Sequence, residues 1–201
     1  MKVVITIICV LGFLTGLSAQ NLNEQLKSSL AGLNGEHSAK VLDYAHHLGA
    51  YFGKPLEATC KLLDSVNQQR VLQYVRFLQH TGPLEPTTVR FLRDTIPFGR
   101  IEEGTILMDS FVVFNTGAAP YVIHSSKGGC DCTTLSFPKF PVMPGDSASI
   151  RIEFDSVNKA GNVTPGVILY DNSRPNRRNI LYMEGEVQPK GNVKTIIRND
   201  E

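Results

Sequence analysis

The chain has 201 residues, of which 42% are apolar, with 20 Lys and Arg against 19 Asp and Glu. That length is sufficient for one or two domains with a buried core. The balanced charge gives no support to a class of protein that binds nucleic acid or anionic lipid, because such binding requires a basic surface.

The N-terminal stretch MKVVITIICVLGFLTGLSAQ has the pattern of a secretory signal peptide. Lys2 precedes an apolar run from Val3 to Leu14, and small residues follow that run. The run is about a dozen residues long, which is shorter than the roughly 20 that a membrane-spanning helix needs. We therefore expect cleavage between Ala19 and Gln20, removal of residues 1–19, no integral membrane segment afterwards, and a protein that is exported to the periplasm or outside the cell.

Removal of the signal peptide leaves 19 basic and 19 acidic residues, because Lys2 is lost, and it leaves an odd number of cysteines, because Cys9 is lost. The three that remain are Cys60, Cys130 and Cys132. In a compartment that favours disulfides, at least one of these thiols must stay free, bind a ligand or pair with another chain.

Residues 20–95 have the periodicity of helices. Apolar residues recur at helical spacing in two segments, which contain Val41, Tyr44, Ala45, Leu48 and Tyr51, and Val71, Tyr74, Val75 and Leu78. Asp64-Ser65 offers a helix cap, and Gly82-Pro83 ends the later segment. The pattern predicts three or four short helices, and we interpret this helical region as an adaptor.

From residue 96 the period changes to two. The clearest strand is Ser147–Phe154, which places Ile150 and Ile152 on one face and Arg151 on the other. Further short runs of this type are Ile106–Phe114, Tyr121–Ser125, Val167–Tyr170 and Asn179–Met183. Turn clusters separate them, among them Asn115-Thr116-Gly117 and Asp171-Asn172-Ser173. About seven strands at this spacing predict an antiparallel β-sandwich of immunoglobulin type over residues 96–189, followed by a polar tail at 190–201.

Six short motifs in this half of the chain resemble an uncharacterised family of secreted bacterial domains. They are IPFGRIEEG from Ile96, FVVFNTGAAPYVI from Phe111, GCDCT from Gly129, PGD from Pro144, FD at Phe154 and EGEV from Glu184. That family is Ig-like and related to the ASH/Hydin and major-sperm-protein sandwiches. The resemblance implies the same fold over roughly residues 96–189, and it implies no activity. The family pattern has Ser-Cys-Gly-Cys-Thr, and this chain has Asp131 between its two cysteines.

The pair Cys130 and Cys132 allows three interpretations. In an extended strand both sulfurs face one side and can hold a soft metal ion such as Cu(I), with His124 or Met143 as further ligands. The pair can instead form a redox-active disulfide, or a bond to another chain, if Gly128-Gly129 supplies a bend, since extended Cα atoms two residues apart lie near the ~6.8 Å limit for bridging. The third interpretation is structural, with the pair packing as small apolar side chains or as a disulfide.

Motifs for catalysis are not found in the sequence. It has no nucleophile elbow, no phosphate-binding glycine loop and no zinc-protease helix, and neighbouring His46-His47 point about 100° apart on a helix and cannot chelate one ion. The leading hypothesis is a non-enzymatic protein without a cofactor that binds a protein partner in the cell envelope. The alternative is a copper-binding or thiol-redox protein that uses Cys130 and Cys132.

Overall fold

The computed structural model describes residues 19–49 and 54–191, and it divides the chain into two compact units at Gly82 and Pro83. The predicted signal peptide lies outside the described residues except for Ala19, where the first helix begins. Tyr51 and the tail beyond residue 191 also lie outside them. Within the described residues, no helix is both long and apolar enough to cross a bilayer.

The first unit is helical, as predicted, and its described residues form four helices. These are α1 Ala19–Ala31, α2 Gly35–His47, α3 Leu56–Lys61 and α4 Ser65–Gln79. Asn34 and Asp64 cap α2 and α4, since each side chain accepts a hydrogen bond of 2.8 Å from a backbone N–H in the first turn. The inward faces of the four helices share a core that includes Leu26, Val41, Tyr44, Cys60, Val71 and Val75.

The second unit is a sandwich of two sheets. Its strands are β1 Val89–Phe91, β2 Thr95–Glu102, β3 Ile106–Asn115, β4 Ile123–Gly128, β5 Thr133–Ser136, β6 Ser147–Asp155, β7 Gly161–Val163, β8 Gly166–Asp171 and β9 Arg178–Gln188. The first sheet has the order β1-β3-β6-β5 and the second the order β2-β9-β8-β4, with β7 also paired to β9. This is the strand order of an immunoglobulin-type domain, in which strands A, B, E and D face strands G, F and C.

The sandwich differs from the prediction in strand number and in one pairing. Nine strands, rather than about seven, are present in the described residues, because β1, β5 and β7 are too short to show a period. One pair, β2 with β9, is parallel. The chain passes from the first sheet to the second between Phe91 and Thr95 without reversing direction, so it pairs antiparallel with β3 and then parallel with β9. Because β1 begins at Val89, the sheets begin before residue 96, where the sequence pattern predicts their start.

The predicted face of β6 is confirmed. Ile150, Ile152 and Phe154 are at most 1% exposed and lie between the sheets, and Arg151 is exposed on the outer face. Residues of both sheets complete this core, among them Ile96, Phe111, Val113, Val167, Leu169, Leu181 and Met183. The core fixes the register of the strands, because a shift by one residue would expose its side chains.

Candidate functional site

The two cysteines lie in the turn between β4 and β5, at one end of the sandwich. They form a disulfide with the Cα atoms 5.1 Å apart, and both side chains are half-buried. Cys132 packs against the core, and its carbonyl accepts a hydrogen bond of 2.9 Å from Asp155 N–H on β6. The short Cα separation follows from the turn, because the backbone is not extended there. We call this turn, residues 129–132, the disulfide end.

The two glycines before the cysteines are needed for space and not for a left-handed backbone. A Cβ on Gly128 would lie 2.7 Å from Thr133 Oγ1 and 2.9 Å from Cys130 O, because the turn folds back over it. A Cβ on Gly129 would lie 3.1 Å from Gly166 O, which also accepts a hydrogen bond from Gly129 N–H. Any larger residue at position 128 would therefore displace the turn that carries the disulfide.

The other predicted ligands do not lie at the disulfide end. His124 is in the second position of β4, four extended residues or about 13 Å from the end of that strand. Met143 follows Val142, which bridges to Tyr121 ahead of β4, and Met143 is buried. No group of three or more His, Cys, Asp or Glu side chains suited to a metal ion occurs in residues 19–49 and 54–191.

Cys60 lies in the helical unit, on α3, and it is fully buried. Burial raises the pKa of its thiol to about 11. Since the thiolate is the reactive form, Cys60 is an unreactive part of the helical core at neutral pH.

The opposite end of the sandwich holds a buried hydrogen-bond network around Asp171. This carboxylate is 2% exposed and accepts hydrogen bonds from Tyr121 OH at 3.0 Å, Asn179 Nδ2 at 2.8 Å and Ser173 N–H at 2.8 Å. Burial, and secondarily the negative charge of Asp171, raise the pKa of Tyr121 well above its ordinary value. The phenol therefore stays a hydrogen-bond donor at all physiological pH values.

Two asparagines extend this network into the backbone of neighbouring loops. Asn172 Nδ2 donates to the carbonyls of Glu85 and Pro120, and its Oδ1 accepts from Val122 N–H, each at 2.8 Å. Asn115, which is 1% exposed, joins other loops in the same way. Its partners are Ala119 O, Val142 O, Thr87 Oγ1 and Gly117 N–H. We call Thr87, Asn115, Tyr121, Asp171 and Asn172 the polar end.

The polar end was missed by the sequence analysis, which assigned Asn115 and Asp171 to turns. A signal was present, because both continue the inward alternation of a strand: Asn115 follows Phe111 and Val113, and Asp171 follows Val167 and Leu169. Gly117 is likewise required for close approach, since a Cβ there would meet the backbone of Thr88 at 2.5 Å.

The edge strands of the two sheets differ in how they are protected against pairing with another strand. β2 carries Pro97 and a bulge beside it, and β4 carries a bulge at His124 and an exposed Lys127. β1 and β7 have three residues each, and β7 pairs only with β9. β5, with the sequence TTLS, has no charge, no proline and no bulge. Bulges, lysines, prolines and very short strands are the usual means of blocking an edge, so β5 is the unprotected edge among the described strands.

A shallow groove of about 410 Å³ lies beside β5 on the outer face of the first sheet. Thr134 and Ser136 line it on the β5 side, and Arg151, Ser110 and Met108 line it further in. Met108 is 75% exposed. Asp109 and Glu153 also line it, so the groove combines an apolar side chain, hydroxyl groups, one cation and two acidic side chains next to an open strand edge.

The strand order and the disulfide turn define a class of protein: an immunoglobulin-like sandwich with a Cys-x-Cys-Thr turn. Residues 89–187 match the family described as "Protein of unknown function (DUF1573)", and this match spans the sandwich from β1 to β9. The resemblance seen in the sequence motifs is thereby confirmed, with its start at residue 89 rather than 96. No curated protein matches the chain.

Several solved structures resemble the sandwich at low sequence identity. A protein of unknown function from Porphyromonas gingivalis W83 is 15% identical with a TM-score of 0.45, and the match covers 54% of this chain and about half, 50%, of that protein. The ASH/PapD-like domain 7 of human CEP192 is 14% identical with a TM-score of 0.36, covering 55% of this chain and 92% of that domain. SSP-19 of Caenorhabditis elegans, an MSP-domain protein-like family member, is 13% identical with a TM-score of 0.33, covering 44% and 94%.

Proposed function

We propose that this chain is an exported, non-enzymatic protein whose sandwich binds a protein partner in the cell envelope by strand addition at β5, with the helical unit as an adaptor. The observation that carries the proposal is the unprotected edge of β5. In strand addition, an extended segment of a partner pairs with the open edge of a sheet, and main-chain hydrogen bonds supply much of the affinity.

The backbone of β5 offers the groups that such a segment needs. Cys132 C=O faces β6, where Asp155 N–H donates to it. Because backbone groups alternate along a strand, those of Thr134 and Ser136 also face β6, and those of Leu135 point away from it. Outside the strand ladders, no backbone hydrogen bond to Leu135 is present in the described part of the chain. A partner strand would satisfy these groups and cover the half-buried Leu135 side chain.

The test is a charge placed on the edge. A photoreactive residue at Ser136 first captures the partner in cells, and affinity for that purified partner is then measured for Ser136→Lys and for the matched control Ser149→Lys. Ser149 lies on the same outer face but on the central strand β6. We expect Ser136→Lys to weaken binding at least about tenfold, because lysine blocks strand pairing, and Ser149→Lys to leave it unchanged.

Hydrogen exchange gives an independent measurement. Binding of the partner should slow exchange of the Leu135 amide, which points away from β6. Equal affinity of the two lysine variants, together with an unprotected Leu135 amide in the complex, would show that the partner does not bind at β5.

A further inference from the structure

The outer face of the second sheet carries a group of exposed apolar side chains on its two central strands. They are Ile168 and Tyr170 on β8 and Ile180 and Tyr182 on β9. Tyr170, Ile180 and Tyr182 are 40%, 39% and 37% exposed, and Ile168 is half-buried. We call these four residues the tyrosine face. Large side chains of this kind, clustered on one sheet, mark a surface that another protein covers.

Strand register places these side chains at successive levels along β9. Arg178 lies opposite Tyr170, Ile180 opposite Ile168, and Tyr182 opposite Gly166. The ring of Tyr182 lies across Gly166, since a Cβ at that position would come within 2.8 Å of it. The ring thus makes the surface continuous from β9 to β8.

Along β9 the tyrosine face has a positive charge at one end and a negative charge at the other, and exposed Lys127 on β4, opposite Ile168, lies at its side. Arg178 and Glu184 are both exposed, they point to the same side of β9 as Ile180 and Tyr182, and they are six residues apart. At a rise of about 3.4 Å per residue, that is about 20 Å, too far for them to pair with each other. In the part of the chain that the structure describes, neither residue forms a salt bridge.

This arrangement is complementary to itself. A two-fold axis that lies in the plane of the interface, perpendicular to β9 at the level of Leu181, reverses the direction of the strand in the second copy. Arg178 of one copy then faces Glu184 of the other, Ile180 faces Tyr182, and both contacts occur twice, as a closed two-fold interface requires. We propose that the tyrosine face is the contact surface of a homodimer in which the second sheets of two copies pack face to face with antiparallel β9 strands.

The size of the surface predicts weak association. The outer face of the second sheet has an area of about 400 Å² per copy, because its four strands are spaced about 4.8 Å apart and are about 20 Å long. A stable interface buries about 800 Å² per partner. The dimer should therefore form reversibly and be sensitive to salt, because its charges lie at the rim.

The test is charge reversal followed by charge exchange. Sedimentation velocity of the full chain over a range of concentrations should show a monomer–dimer equilibrium. Arg178→Glu and Glu184→Arg, each alone, place like charges opposite one another and should raise the dimer dissociation constant about tenfold. The double variant Arg178→Glu/Glu184→Arg restores opposite charges across the two-fold axis and should recover the dimer.

Glu153→Arg on the outer face of the other sheet is the matched control, and it should leave the equilibrium unchanged. Circular dichroism verifies that each variant is folded. A chain that stays monomeric at every concentration would overturn the proposal, as would a dimer that both single reversals leave intact. A double variant no better than the singles would also overturn it, and would point to a partner of another kind on this face.

Discussion

The two ends of the sandwich are closed by different chemistry. At the disulfide end a covalent bond joins Cys130 and Cys132, two residues apart, and the turn lies partly in solvent. The polar end has no disulfide, but the hydrogen bonds of Asn115, Asp171 and Asn172 join separate loops, and those at Glu85 and Asn172 are 87 residues apart in sequence. A link stabilises the fold more when it joins segments that are distant in sequence and when its groups are buried. We therefore expect the polar end to contribute more to the free energy of unfolding than the disulfide does.

The largest effect is expected for Asp171→Ala. Three donors, on Tyr121, Ser173 and Asn179, would lose their acceptor in a buried site. A buried group left without its partner costs about 1–3 kcal/mol, so the free energy of unfolding should fall by about 3–5 kcal/mol. Denaturant unfolding measures this loss. Asp131→Ala, which alters an exposed carboxylate, should stay within about 0.5 kcal/mol of the original chain, and equal losses for the two variants would contradict the role of the polar end.

The second expectation is a loss of stability at alkaline pH that depends on Tyr121. The pKa of Tyr121 is raised by folding, so below the unfolded value of about 10 the phenol is neutral in both states. Above it the unfolded chain ionises first and the folded state loses about 1.4 kcal/mol per pH unit until the raised pKa is reached. The free energy of unfolding is therefore compared with that of the variant Tyr121→Phe, because phenylalanine does not ionise. The stability difference between the two chains should shrink from pH 10 to 11, and a constant difference would show that Tyr121 ionises normally.

Removal of the disulfide should cost less. Closing a loop of three residues reduces the entropy of the unfolded chain by an amount worth about 1.6 kcal/mol. We expect the double variant Cys130→Ser/Cys132→Ser to remain folded, with a loss of about 1–2 kcal/mol and with partner binding at β5 retained. A folded double variant that lost a redox or copper-dependent activity of the chain would instead support the thiol-based alternative.

The contrast between the ends also explains which parts of the structure were readable from the sequence. The face of β6 was readable, because alternation over eight residues leaves one register that buries Ile150 and Ile152. The caps of α2 and α4 follow local chemistry, and Asp64 was predicted as one. The polar end was hidden because Asn and Asp are also the usual residues of turns. Only their position in the alternation of β3 and β8 separates the two interpretations.

Features that depend on pairing between distant segments could not be predicted. The parallel pairing of β2 with β9 requires knowledge of where the chain changes sheets, near Leu92, and four residues of β5 carry no period. The charges of the tyrosine face are six residues apart in sequence, and their relation appears only when the register shows that Ile180 and Tyr182 lie between them on one face.

The smallest effect concerns Asp131, the residue at which this chain departs from the glycine of the family pattern. A glycine there would matter if the turn needed a left-handed backbone, but Asp131 is not among the non-glycine residues with positive φ, which in the described chain are Asn158 and Arg177. Its side chain is exposed. Asp131→Gly should therefore keep the disulfide and lower stability by about 0.5 kcal/mol, through the greater freedom of glycine in the unfolded chain. Unfolding with peptide mapping of the Cys130–Cys132 bond checks both parts. A gain in stability would mean that a side chain at position 131 strains the turn. The glycine of the family pattern would then be required by the backbone conformation.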